Sequence, residues 1–570
     1  MSQYSKDVSI AVGGSAGQGI QTVEAALVKI LKDAGYGVFA CKEYMSRVRG
    51  GSNSVEVRVS STSAPRRAYV RRIDFLFAMD AASLEHLRWR IGEGTIVFGE
   101  RAQVGDPGPV RFVDTPILRF ANEAGGNPIY SNTVALGTIL GLLGTPFSGA
   151  EDYLRSVFAR KGEDIVGKNV EAARKGYEFG KHAAFVEDIS IPLTPSEEKK
   201  DDIILDGTTA LGIGAVAGGC DFISSYPMSP ATGVLAFLAK EAKRFGIVVD
   251  QAEDEISAIN AGIGASYAGA RALVTTSGGG FDLMQEGVSL SGMIETPIVI
   301  HIGQRPGPAT GLPTRTEQGD LNLALHAGHG EFARAIFAPG TLSEAVGTMQ
   351  QAFETADRYQ IPVFVLSDQY FLDSVTAVDL DELPRIPVKR HIARTTEDYL
   401  RYALTKDGLS PRGIPGHGDG LVCVDSDEHD ESGHITESFA MRRSMMEKRT
   451  SRLTALRKDA IMPHAFDNLE GAETAVISWG STCGTLVETL SRLGSAKLGG
   501  LHFSQVYPIN PEVKKLLVGK EVIVIESNHS GQFADLLGRE LGVKVSRRIL
   551  KSTGEPFSVE ELIEELRSEA

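Results

Sequence analysis

Four cysteines in 570 residues is a sparse supply, and Cys41, Cys220, Cys423 and Cys483 lie far apart with no C-x-x-C pair among them. That scarcity argues against a disulfide framework. It also excludes an iron–sulfur cluster held by this chain alone, which needs clustered thiolates. No apolar run approaches the roughly 18 residues of a membrane span. The start, MSQYSKDVSIAVGG, lacks the basic-then-apolar pattern of a secretory signal. The expectation is a soluble, cytoplasmic protein without a membrane partner. An excess of positive charge is missing too. The 58 basic residues against 73 acidic ones leave a net charge of −15, the wrong sign for a nucleic-acid binder. There is no P-loop, no internal repeat and no low-complexity segment.

What is present is ordinary globular material, 42% hydrophobic and 23% charged. The fold expectation is multidomain α/β. Residues 1–185 open with a strand at Val8–Val12, a turn from Gly13 to Gly19 and a helix from Ile20 to Ala34, a βα unit of a Rossmann-like domain. Asp74–Met79 and Thr95–Phe98 read as further buried strands. Residues 186–202 are charged and proline-containing and read as a linker. Residues 203–383 form a second α/β domain, with strands at Phe222–Ser225, Ala272–Thr276, Pro297–Ile302 and Pro362–Leu366 and an amphipathic helix at Leu342–Tyr359. Residues 384–467 are polar and irregular apart from a basic helix near Arg442–Lys458. Residues 468–570 return to α/β, with strands at Thr474–Ser478, Leu498–Phe503 and Val522–Glu526.

Four constellations lie on successive strand-exit loops of the second domain. Tyr226-Pro227-Met228-Ser229-Pro230 brackets a hydroxyl between two prolines, which stiffen the loop. Glu253-Asp254-Glu255 heads a helix of small residues; the acids are good caps, or one of them faces a ligand. Ser277-Gly278-Gly279-Gly280 is a flexible turn or a backbone cradle for an anion. The loop from Arg305 to Asp320 carries Thr310, Thr314 and Arg315, and presents arginine forks suited to carboxylates or phosphates. Each motif alone also reads as an ordinary turn or cap.

Together, in order and content, they resemble the 2-oxoacid:ferredoxin oxidoreductase family. The shared features are the Y-P-x-[TS]-P loop, the E-D-E-I helix, the T-S-G-x-G turn and the G-P-x-T-G-L-P-T loop. The resemblance extends to Asp425–Gly433 and Val524–Gln532, and to the N-terminal G-G-x-x-G-Q-G-I turn with Arg49-Gly50-Gly51. It covers essentially the whole chain, as an alpha subunit with a fused N-terminal gamma domain. It implies a gamma-like domain, a pyrimidine domain that binds thiamine diphosphate, and a domain like the transketolase C-terminal one.

The resemblance implies residue roles. Glu255 hydrogen-bonds the pyrimidine nitrogen of thiamine diphosphate, with Glu253 as second choice. Ser229 lies near the substrate's carboxylate or carbonyl, and Arg315 pairs with its 1-carboxylate. Tyr226, Pro227, Met228, Ser277, Gly278 and Gly279 line the cofactor. Thr310, Thr314, Gly14, Gly17 and Gly19 are candidates for substrate or coenzyme A. Gly418-Asp419-Gly420 imitates a diphosphate motif, but the matching asparagine is replaced by Met445 and Met446, and the next one is Asn468. No metal site is therefore read here. Mg2+, the diphosphate and a [4Fe-4S] cluster belong to a partner beta subunit in an obligate heteromer, and ferredoxin is the electron acceptor.

The implied reaction is oxidative decarboxylation of a 2-oxoacid with transfer of the acyl group to coenzyme A; in reverse it is the reductive carboxylation of a reductive tricarboxylic acid cycle. The fused gamma domain and the S-D-E-H-D-E segment favour 2-oxoglutarate over pyruvate or branched-chain substrates. A non-catalytic scaffold subunit is the rival reading from another class. Met228-Ser229 stands where Ile-Thr is commoner in the family, and Gly278-Gly279-Gly280 where Gly-Pro-Gly is commoner. Cys220 and Cys483 read as core thiols. His429 and His434 read as hydrogen-bonding loop residues, and Arg66, Arg67, Arg71 and Arg72 as a solvated strand edge.

Overall fold

The computed structural model describes residues 7–15, 18–45, 51–61 and 67–570, with backbone alone at position 199. Gly17, Arg49, Gly50 and Arg66 lie outside the described residues. The chain divides into two compact units.

The first unit comprises Met1–Leu205, Asp373–Glu382 and Ser558–Glu560. Its sheet runs in the order Arg111–Asp114, Ile96–Gly99, Phe75–Ala78, Asp7–Ser15, Ser52–Ser60, Gly37–Glu43, Val375–Val378, Ile203–Asp206. The N-terminal strand reaches Ser15, so Gly13 and Gly14 are strand residues rather than turn residues. It pairs parallel with Phe75–Ala78 and antiparallel with Ser52–Ser60, so the sheet is mixed. Two helices, Ser131–Leu142 and Glu163–Val186, pack backbone against backbone. A Cβ on Gly137 would stand 2.0 Å from the Ala173 carbonyl oxygen, and one on Gly176 2.1 Å from that of Val134. The 186–202 segment is packed rather than free: Ile189, Ile191 and Leu193 join the unit's core, and Ser196 N donates to Gly35 O at 2.8 Å. Asp373–Glu382, expected at the end of the second domain, instead brings a strand to the first sheet.

The second unit holds two sheets. The larger runs Gln505–Tyr507, Ala335–Phe337, Pro362–Asp368, Ile298–Gln304, Ala272–Thr276, Phe222–Ser225, Val248–Gln251. It is parallel except at Gln505–Tyr507. The central strands are buried throughout, which explains their unbroken apolar runs. The five-stranded sheet runs His464–Phe466, Leu498–Phe503, Thr474–Trp479, Glu521–Glu526, Arg547–Leu550. Phe364 of the larger sheet and Phe281 of the helix Gly278–Asp282 share a core with Trp479 and Phe503 of the smaller sheet and Phe533 of the helix Gln532–Leu541.

The 384–467 segment is irregular, yet buried charge ties it down. Arg452 donates to the carbonyls of Gly408, Tyr359 and Gln360 and pairs with Glu295, and Lys448 Nζ lies 2.6 Å from Glu295 Oε2. Its helix, Phe439–Lys458, carries these cations. Satisfied carbonyls and paired charges let a polar sequence be buried where apolar side chains are few.

Candidate active site

Open parallel sheets present ligand sites beyond the carboxyl ends of their strands. Four such exits of the larger sheet meet in one place. The strand Phe222–Ser225 leads into the loop Tyr226–Pro230, where Tyr226, Pro227 and Ser229 are exposed. Ser225 Oγ donates to the Thr275 carbonyl at 2.6 Å and ties the loop's base to the neighbouring strand.

The three acids after Val248–Gln251 separate by role. Asp254 caps the helix Glu255–Tyr267, accepting from Ser257 N at 2.8 Å. Glu253 is exposed and accepts from Ser257 Oγ at 2.8 Å. Glu255 alone turns inward: it is 3% exposed, and its Oε1 is buried without a hydrogen-bond partner. An unsatisfied buried carboxylate oxygen is costly unless a ligand completes it.

The glycine turn explains itself through these acids. A Cβ on Gly280 would come within 2.4 Å of Glu255 Oε1, and one on Gly278 within 2.3 Å of Asp320 Oδ1. The turn is therefore filled by two of the chain's own carboxyl groups, where the sequence suggested a cradle for an external anion. Above it, the Ala309 carbonyl oxygen lies 3.5 Å from where a Cβ on Gly279 would stand, so the Arg305–Asp320 loop covers the turn. Gly311, at φ +51°, passes so close to the Pro306 carbonyl that a Cβ would sit 1.8 Å from it. Ser277 Oγ is a second buried group without a partner.

Arg305, which follows the strand Ile298–Gln304, donates from Nη1 to the Ser229 carbonyl at 2.6 Å. Arg315 sits on the other side of the loop, its Cβ 3.1 Å from where one on Gly554 would be. The structure thus brings Ser229, Glu255, Ser277, Gly278, Gly279 and Arg305 together and sets Arg315 against Gly554. Thr310 and Thr314 ride on the covering loop. Asp320 and Gln304 carried no distinct signal beyond their place at the ends of that loop. Gln318 anchors the loop: it donates from N to Ser527 O at 2.6 Å and from Nε2 to Trp479 O at 2.8 Å, and Oε1 accepts from Ser527 N at 2.9 Å. The Val524–Gln532 motif is thereby a dock for the Arg305–Asp320 loop. Beneath the site, His301 bridges Thr275 Oγ1 and Ser367 Oγ, each at 2.7 Å, and burial pushes it down to about 3, so it is neutral.

Gly418-Asp419-Gly420 is pinned to Thr395, with Asp419 N donating to Thr395 O at 3.0 Å. Glu428 of the S-D-E-H segment pairs with Arg442 at 2.5 Å and Arg449 at 2.8 Å. Tyr402 lies against the His429 ring, centroids 3.9 Å apart, and His434 Nδ1 lies 2.7 Å from Ser432 Oγ. Among the described residues no group of three or more His, Cys, Asp or Glu could hold a metal, and no helix is long and apolar enough to cross a membrane. Cys41, Cys220 and Cys483 are buried. In the first unit, a cavity of about 700 Å3 is lined by Gln18, Gly19, Thr22, Met79, Asn132 and Lys161, among others. Gly19 opens onto it, while Gly14 lies in the strand beneath Gln18.

Two family descriptions match the chain: "Pyruvate flavodoxin/ferredoxin oxidoreductase, thiamine diP-bdg" over residues 213–448 and "Pyruvate ferredoxin/flavodoxin oxidoreductase" over residues 9–179. A 2-oxoacid:ferredoxin oxidoreductase alpha subunit of Aeropyrum pernix is 30% identical across 97% of this chain and 96% of its own. The chain belongs to the 2-oxoacid:ferredoxin oxidoreductase family, as an alpha subunit.

A 2-oxoglutarate oxidoreductase subunit KorA of Mycobacterium tuberculosis is 31% identical over 76% of this chain and 67% of its own. A solved 2-oxoglutarate:ferredoxin oxidoreductase from Magnetococcus marinus, with 2-oxoglutarate, coenzyme A and succinyl-CoA bound, superposes with a TM-score of 0.91 at 30% identity, covering 99% of each chain. This 2-oxoacid:ferredoxin oxidoreductase alpha subunit therefore contains a thiamine-diphosphate-binding domain. The orphaned Glu255 Oε1 and Ser277 Oγ suit hydrogen bonds to a nitrogen heterocycle.

Proposed function

We propose that this chain forms the pyrimidine half of the active site of a 2-oxoglutarate:ferredoxin oxidoreductase. The reaction is 2-oxoglutarate, coenzyme A and two oxidised one-electron ferredoxins to succinyl-CoA, CO2, a proton and two reduced ferredoxins. The observation that carries it is the Glu255 carboxylate, buried, unsatisfied and held against Gly280. When bound, thiamine diphosphate supplies the carbon nucleophile and the electron sink that decarboxylation needs. Glu255 holds the proton at the pyrimidine ring nitrogen. Arg305, braced on Ser229, takes the substrate 1-carboxylate, and the loop exposed at residues 307–312, with Thr310 on it and the half-buried Thr314 and Arg315 after it, stands at the entrance. Tyr226, Pro227 and Met228 form the stiff wall beside the reacting carbon. The KorA relatives and the Magnetococcus marinus structure support 2-oxoglutarate as substrate.

The partner is a beta subunit that carries the diphosphate, Mg2+ and a [4Fe-4S] cluster. The cavity beside Gly19 suits part of coenzyme A, with Lys161 to meet a phosphate. The test is reconstitution with the beta subunit and assay of coenzyme-A-dependent reduction of a low-potential acceptor. Faster turnover with 2-oxoglutarate than with pyruvate is expected. Glu255→Gln is expected to lower kcat about 100-fold or more; a fully active variant would leave the chain a scaffold.

A further inference from the structure

The proton-bearing group that the catalytic reading leaves unused is Asp320. It closes the loop over the glycine turn, and its backbone N donates to Gln304 Oε1 at 3.1 Å, beside Arg305. Its Oδ1 fills the space at Gly278, and its Oδ2 is buried without a hydrogen-bond partner. Arg305 follows Gln304 in the chain, so the Gln304 bond sets Asp320 in the neighbourhood of the Arg305 guanidinium, with no ion pair joining the two side chains. Arg305 is the guanidinium braced on Ser229. A buried carboxylate beside an arginine competes with any other carboxylate that approaches the same cation.

We propose that Asp320 controls substrate affinity: ionised, it competes with the substrate 1-carboxylate for Arg305; protonated, it leaves Arg305 to the substrate. The inference rests on the 2-oxoacid reading of this site. The charged groups around Asp320 are Glu317 on its own loop, Arg305 at that loop's start, Glu255 across the glycine turn, and His529, which faces Glu317. Burial, then Glu317, pushes the Asp320 carboxyl up to about 7, against the opposing pull of Arg305. A carboxyl with a raised pKa is neutral below that value and ionised above it. Affinity for the 2-oxoacid therefore falls as pH rises through neutrality. Binding of an anionic substrate raises the pKa further and takes up a proton.

The experiment uses the reconstituted heteromer and two unreactive probes, N-oxalylglycine (isosteric with 2-oxoglutarate) and oxamate (isosteric with pyruvate). Calorimetry in buffers of different ionisation heat counts the protons taken up on binding. The expected result for the unaltered protein is an uptake of roughly half a proton near pH 7.5 and an affinity about 10-fold weaker at pH 8.5 than at pH 6.5. Asp320→Asn is expected to bind the probe with no uptake and a pH-independent affinity. Glu317→Gln keeps Asp320 in place and is expected to move the transition to lower pH. Equal uptake by Asp320→Asn and the unaltered protein overturns the inference, as does a flat affinity of the unaltered protein from pH 6.5 to 8.5. Failure of the unaltered protein to bind either probe overturns the 2-oxoacid reading as well, and is distinguishable as absent binding rather than binding without a proton.

Discussion

The carboxylate of Glu255 lies where a side chain on residue 280 would have to be: a Cβ on Gly280 would come within 2.4 Å of Glu255 Oε1. Gly280→Ala is thus expected to displace Glu255 without touching its chemistry. In the reconstituted enzyme kcat is expected to fall about 10-fold or more, with thiamine diphosphate bound more weakly. Thermal melting monitored with and without the cofactor separates this from general unfolding, since the cofactor-free Tm should move little compared with the cofactor-induced shift.

Arg305→Lys keeps the charge and loses the planar fork that can hold a carboxylate bidentately while bracing Ser229. KM for the 2-oxoacid is expected to rise roughly 10- to 100-fold, with a smaller change in kcat. Arg315→Lys serves as the comparison and is expected to change KM less. The reverse order would return the carboxylate role to Arg315.

Burial pushes the Glu295 carboxyl up, but Arg452, Lys448 and Arg401 together bring it down to about 2. A depressed carboxylate contributes stability that is present above its unfolded value and lost on acidification. That value is about 4.3, so the contribution of Glu295 is fully present at neutral pH and is lost as pH falls from about 4.5 towards 2. Urea midpoints at pH 5 and pH 3 check it, with Glu295→Gln expected to reduce the difference. Lys448→Met leaves Glu295 with one fewer partner and is expected to cost about 3 kcal/mol.

The helices Ser131–Leu142 and Glu163–Val186 meet at Gly137 and Gly176 with no room for a Cβ. Gly176→Val is expected to separate them at a cost of about 3 kcal/mol, seen as a lowered urea midpoint. Gly167→Ala, on the same long helix with nothing within 4 Å of its Cβ position, is expected to be neutral or slightly stabilising.

Much of this was legible in the chain. Phe222–Ser225, Ala272–Thr276 and Leu498–Phe503 have the bounds their apolar runs predict, and Leu342–Tyr359 has the bounds its helical spacing predicts. The placing of the motifs at strand exits was equally readable, because parallel strands all end at the same edge of their sheet, so the loops that follow them gather there. None of the helices from Ile117 to Val186 was legible in this way, and Ser131–Leu142 shows why in its own case, being apolar nearly all round with no amphipathic stripe.

The sequence by itself determined the motif set, the α/β class and the family, since these depend on residue type and spacing. Only the tertiary structure decided which of three adjacent acids is buried, which of two loop arginines braces Ser229, and that Asp320 shares the glycine turn. It also sent Asp373–Glu382 back to the first sheet. Those outcomes depend on where backbone from distant parts of the chain leaves room. A glycine at position 278 or 280 states that something must approach closely, but the approaching group is chosen by the fold.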